Sequence, residues 1–181
     1  MHLRQSARLL AAAGILVIAA PFLSSCGFDY ATDRPYTPGS GVNDHSAKVD
    51  VLSAVVVSAQ TGSGTFIASF ANNDTLEPAT VTAIAGSGDD ADLQVDSFTP
   101  IEIAPHGLVN LAVDGGVAIT GDIDAGETAS LTITFGDGSS VDMTMPVVAD
   151  CGDYSGLDTS ATDTPASGTP CEVESPDATE E

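Results

Sequence analysis

The chain has 181 residues, with 26 acidic and only 4 basic side chains, 3 His, 3 Cys and no Trp. A formal charge of −22 repels phosphate backbones and anionic headgroups, which excludes nucleic-acid binding through a basic surface. Apolar residues make up 43% but aromatics only 5%, so a folded core has to be built mainly from Val, Ile, Leu and Ala, within about one domain.

The first segment, 1–25, carries His2, Arg4 and Arg8 and then an apolar run from Leu9 to Ala20, closed by Pro21, Phe22 and Leu23. That is a charged n-region and an h-region of signal-peptide length, too short to span a bilayer, which needs about 20 apolar residues. The run ends in Leu23-Ser24-Ser25-Cys26, which resembles the lipobox of bacterial lipoproteins. The resemblance implies cleavage before Cys26 and acylation of that cysteine, so the lipid bilayer is the first expected partner. A diacylglycerol thioether plus an N-acyl chain exceeds the two lipid signals that stable anchoring requires. The mature chain is then expected on the extracytoplasmic face of the cell membrane. Cleavage removes Arg4 and Arg8 and leaves every acidic residue in place.

Residues 26–46 are rich in Gly, Pro, Asp, Ser and Thr without apolar periodicity and are predicted to be a flexible tether. From Ala47 the character changes to short segments of Val, Ile, Thr and Phe closed by Gly, Asn or Asp. Strands are predicted near 48–58, 64–72, 79–85, 100–104, 108–113, 117–120, 128–135 and 140–147. Asp114-Gly115 and Asp137-Gly138 read as hairpin turns, because these residues tolerate the positive φ that tight turns need. Alternation places Phe66, Ala68 and Phe70 on one face, and Leu131, Ile133 and Phe135 on another. No stretch shows helical spacing. Two such faces must cover each other, which predicts an all-β domain over 47–150, an immunoglobulin-like antiparallel sandwich of seven or eight strands.

Residues 151–181 are dominated by Ser, Thr, Asp, Glu, Pro and Gly, too poor in apolar surface to offset their ordering entropy, and read as an acidic tail. Cys151 and Cys171 lie there, and in an oxidising compartment two spare thiols are most simply a disulfide closing a loop of about 20 residues. A thiolate metal site is the rival reading, and it lacks a neighbouring His or third Cys.

The run of Pro100-Ile-Glu-Ile-Ala-Pro105, Gly107 to Leu111, Gly115-Gly116, Gly126 to Phe135 and Val141 to Val148 resembles the periplasmic copper chaperones called PCu(A)C. The resemblance implies a cupredoxin-like sandwich. That family holds Cu(I) with two His-x-Met regions, which here correspond to 88–99, without His or Met, and to Val117-Ala118-Ile119. Soft thioether and imidazole ligands make a Cu(I) site selective, so no cofactor is expected. Met143, Met145 and His106 are the weak metal candidates. The first two offer thioethers or fill the core, the preferred reading, and His106 reads as an exposed loop residue, as does His45. The chain is also similar to actinobacterial lipoproteins of the LpqE type, on the lipobox, the stretch Gly41-Val42-Asn43-Asp44 and the first strand Val49 to Val57. That group implies a place among the accessory subunits of the respiratory supercomplex of cytochrome bcc and the terminal oxidase.

Catalysis has no residue set behind it. His106 is the only imidazole inside the predicted domain, no Gly-x-Ser-x-Gly elbow occurs, and Asp89-Asp90-Ala91-Asp92 and Asp122 to Glu127 read as solvated acidic turns rather than calcium loops. The sequence therefore points to a non-enzymatic, membrane-anchored interaction module, with a copper-handling protein of relocated site as the alternative.

Overall fold

A computed structural model describes residues 41–160. The signal segment, Cys26, most of the tether and Cys171 lie outside the described residues.

β2 (Val49–Gln60) and β3 (Ser63–Asn72) form a long antiparallel hairpin. Its turn works because Gly62 adopts φ +90°, and its N–H donates to the Ile123 carbonyl at 2.8 Å. Valine dominates β2, with five of its twelve residues, because branched side chains pack well on a pleated surface. The parity of the strand changes part-way along it. Val49 and Val51 face the core, but so do Ala54 and Val56, because an extra residue at Ser53 and Ala54 shifts the register against β3. Ser53 takes φ +53° there, and its N–H donates to the Asn43 side chain at 2.7 Å. The bulge turns Val55 and Val57 to the outer surface.

β1 (Val42–Asp44) pairs with the first half of β2, so the end of the predicted tether is already strand. β7 (Leu108–Asn110) and β8 (Val117–Thr120) share the other edge of β3. Between them lies a one-turn helix, α1 (Leu111–Asp114), where the sequence predicted continuous strand to 113 and a hairpin at Asp114-Gly115. The Asn110 side chain caps the helix by accepting from the Ala112 N–H, and Gly115 ends it in the left-handed region at φ +92°. A positive-φ glycine is what a hairpin and a helix C-cap have in common. β5 (Gln94–Val95), not foreseen from sequence, adds to β8.

The second layer runs β10 (Ser140–Ala149), β9 (Thr128–Phe135), β4 (Ala79–Gly86) and β6 (Ile101–Ile103). The β9–β10 hairpin turns at Asp137-Gly138 as predicted, with the Gly138 N–H donating to the Phe135 carbonyl at 3.0 Å. β10 belongs to both layers. Its first part pairs antiparallel with β9 up to Pro146, and Val147 to Ala149 pair in parallel with Val56 to Ser58 of β2. Proline, having no N–H to give, sits where the strand changes partners.

The domain is thus an all-β sandwich whose layers are continuous through β10. Among the described residues ten strands and a parallel pair replace the predicted seven or eight antiparallel ones, because the short edge strands carry too few residues to show a period. Phe66, Phe70, Leu131 and Ile133 fill the space between the layers, each burial contributing about 1.5–3 kcal/mol.

Residues 151–160 do not behave as free tail. They lie on the outer face of β2 and β3, where Tyr154 and Leu157 pack with Ala112 and Val148 over Val55, Val57 and Ile67. The composition argument against burial fails at these positions because two side chains suffice to cover the small patch that the bulge exposes.

Candidate functional site

The stretch around Gln94 to Asp96 and the strand Val117 to Thr120 come together in space. β5 lies against β8 with Val95 opposite Ile119 and Gln94 opposite Thr120, and the Asp96 N–H donates to the Ala118 carbonyl at 2.9 Å. Val117 and Ile119 turn inward and are buried, so this junction is closed with aliphatic carbon.

Met143 and Met145 lie on the inner face of β10, opposite Leu131 and Ala129, and are 5% and 1% exposed. Both belong to the core cluster between the layers. His106 is exposed at the tip of the turn after β6, in the left-handed region at φ +54°, with its N–H donating to the Asp74 carbonyl at 2.7 Å. The structure does not bring it to the methionines' strand. His45 is exposed and pairs with Asp50 at 3.0 Å. Among the described residues no three His, Cys, Asp or Glu side chains are grouped to hold a metal ion.

A cleft of about 360 Å³ opens at one end of the sandwich, lined by Lys48, Asn72, Asp74, Glu77, Phe135, Asp137 and neighbours. Sequence reasoning passed over it because its residues come from three separate turns. Lys48 is the only Lys or Arg among the described residues. Asn72, buried, positions the loops: its amide donates to the carbonyls of Glu77 at 2.9 Å, Ala104 at 3.2 Å and Ile103 at 3.3 Å, and its oxygen accepts from the Asp74 N–H at 2.9 Å. The Asp74 carboxyl is held below the ordinary range by the N–H groups of Leu76 and Glu77, with a smaller pull from Lys48. The Asp137 carboxyl is lowered in the same way, first by the Ser139 hydroxyl and N–H and then by Lys48. The rim is therefore ionised at neutral pH and suits a cationic or amide group of a partner.

The second constellation holds residues 151–160 in place. The Asp158 carboxylate accepts from the Ala59 N–H at 2.8 Å, the Thr65 hydroxyl at 2.9 Å, and the Ser160 N–H and hydroxyl at 2.9 and 2.6 Å. The Thr65 oxygen, fully buried, accepts in turn from the Thr159 N–H at 2.7 Å. Burial raises the Asp158 pKa, but the hydrogen bonds from Ser160, Ala59 and Thr65 together outweigh it and leave the carboxyl below its ordinary value. Cys151, at the start of this segment, is disulfide-bonded. The two other cysteines, Cys26 and Cys171, are outside the described residues.

No protein-family profile matches the chain, and no curated protein matches it. Solved structures similar to it include the apo PCuAC domain from PmoF1, at 15% identity over 60% of this chain and 99% of that one, with a TM-score of 0.49. The copper-bound PCuAC domain from PmoF2 is 16% identical over 60% of this chain and 98% of its own, with a TM-score of 0.48. The apo form of that PmoF2 domain is 14% identical over 61% and 98%, at 0.49. Likenesses of that strength carry no information about ligand or partner.

Proposed function

We propose that the chain is a lipid-anchored, non-enzymatic interaction module on the outer face of the cytoplasmic membrane. The observation that carries this reading is the sequence Leu23-Ser24-Ser25-Cys26, at the end of an apolar run that follows Arg4 and Arg8. A spacer of about 15 residues then separates the acylated cysteine from β1, which at 3.3–3.6 Å per residue reaches up to about 50 Å from the bilayer. The side chains with soft-ligand chemistry support a binding rather than a metal-handling role, since Met143 and Met145 are spent on the core. The acidic rim of the Lys48 cleft favours basic partners. We place the module beside the respiratory supercomplex of cytochrome bcc and the terminal oxidase, on the likeness to LpqE-type lipoproteins, and assign Cys171 as the partner of Cys151.

Membrane fractionation with mass spectrometry of the N-terminal peptide tests the anchor: acyl mass on Cys26 is expected, and Cys26→Ser should release the chain from the membrane. An unmodified Cys26 in a soluble chain would overturn it. Crosslinking and pull-down from native membranes tests the location, which fails if respiratory subunits stay at background. A non-reducing peptide map checks the Cys151–Cys171 pair.

A further inference from the structure

Residues 151–160 cover the one apolar patch on the outside of the sandwich that the Ser53 bulge creates. The segment has no regular ladder with its neighbours. Cys151, at its start, is disulfide-bonded, and the rest is held by the side chains of Tyr154 and Leu157 on Val55, Val57 and Ile67, by the Asp158 carboxylate on Ala59 and Thr65, and by Thr159, whose N–H donates to the Thr65 hydroxyl and whose hydroxyl donates to the Gly115 carbonyl. Its fit is incomplete, for a cleft of about 290 Å³ remains beside it, bordered by Ile67, Ala112, Tyr154 and Leu157.

We infer that this outer face of β2 and β3 is a peptide-docking surface whose resting occupant is the chain's own segment 151–160. The partner that fits it is a peptide that turns between an aromatic and an aliphatic side chain three residues apart, as Gly152–Tyr154 and the Leu157 N–H to Tyr154 carbonyl bond do here, followed directly by a carboxylate. The seated segment supplies that specification: Tyr154, Leu157 and Asp158 are spaced so that the two apolar groups lie on the patch while the carboxylate reaches the Ala59 N–H and the Thr65 hydroxyl. The unfilled cleft gives a competitor its advantage, since a larger side chain in the Leu157 position gains apolar area that the native segment leaves open. Sheet faces and edges are common peptide-docking surfaces, and here specificity comes from two apolar positions and one charge-assisted clamp.

The inference deepens the interaction-module reading and rests on it. The test uses the full chain with Tyr154→Ser and Asp158→Asn, which loosen the segment, and a synthetic peptide spanning residues 152–160 as probe. Saturable binding to the variant is expected at least tenfold tighter than to the unaltered chain, where the tethered copy competes. The same peptide carrying Asp158→Asn should bind at least tenfold more weakly, and one carrying Leu157→Trp should bind more tightly. An intact variant that binds none of these peptides overturns the inference. Hydrogen exchange on the unaltered chain decides the matter if the variant does not fold. The amides of Ala59, Thr159 and Ser160 should then exchange at least a hundredfold faster than those of the β2–β3 ladder, and exchange only through global unfolding would overturn the inference. Because both readouts need no membrane partner, failure of the pull-down and failure of the docking surface are separately visible.

Discussion

Replacing Met143 and Met145 separates sulfur from volume. In the core both side chains are needed for their bulk, so Met→Leu at either site, which keeps volume and removes the thioether, should cost under about 1.5 kcal/mol. Met145→Ala leaves a hole between the layers at a side chain only 1% exposed, opposite the small Ala129, and should cost about 2–5 kcal/mol. Met143→Ala, against Leu131, belongs in the same range. The two sites share one face and one cavity, so the double alanine variant should not equal the sum of the singles. Urea unfolding followed by circular dichroism measures this. With a slope of about 1–3 kcal/mol per molar, a loss near 3 kcal/mol moves the midpoint by roughly 1–3 M, and each leucine variant should shift it by less than about half as much. A Cu(I) titration of the leucine pair against a chromophoric chelator completes the test. If the unaltered chain binds Cu(I) with submicromolar affinity and the leucine pair does not, the core role assigned to these residues is refuted.

Other substitutions probe the remaining features. Asp158→Asn should lower stability by about 1–2 kcal/mol at pH 7 by weakening the clamp on Ala59 and Thr65. Since the folded-state pKa lies below the ordinary 3.8, that contribution is present above pH 3.8 and lost as pH falls through the folded value. The unfolding midpoints of the two proteins should therefore converge in acid, and a constant gap down to pH 2 contradicts the assignment. Asn72→Leu strips three carbonyls of their donor and should cost about 1–3 kcal/mol, with faster amide exchange in the loops around Asp74 and His106. Gly116→Ala should be far worse than Gly138→Ala in a thermal melt. Both have positive φ, but the added Cβ at Gly116 would lie 2.3 Å from the Thr65 methyl and 2.9 Å from the Phe66 carbonyl, whereas Gly138 faces open space.

The long strands were legible because their inner faces repeat with a period of two, as at Phe66, Ala68 and Phe70. The bulge at Ser53 was not, since a continuous run of valines conceals a change of face. α1 was hidden for a different reason: four residues cannot display a helical period, and the Asp-Gly signal at its end fits two conformations equally. The parallel contact of β10 with β2 joins residues about 90 apart, and no local pattern encodes it. Of the candidate site residues, the sequence placed Met143 and Met145 on one strand face and His106 in a turn. The Lys48 cleft and the Asp158 clamp escaped notice because each is assembled from turns distant in sequence, whose residues separately look like solvated polar positions.

The sharing of β10 between the layers fixes the order of events at birth. A nascent chain that stops short of Val147 has β2 without its parallel neighbour, and one that stops before Ser140 leaves β9 paired with β4 alone. The layer of β1, β2, β3, β5, β7 and β8 has all its other ladder partners before residue 121, but its inner face has nothing to pack on until β9 and β10 follow. Such late closure is slow, as non-local pairing always is. If the chain is exported as proposed, slowness of this kind keeps it in a transportable state.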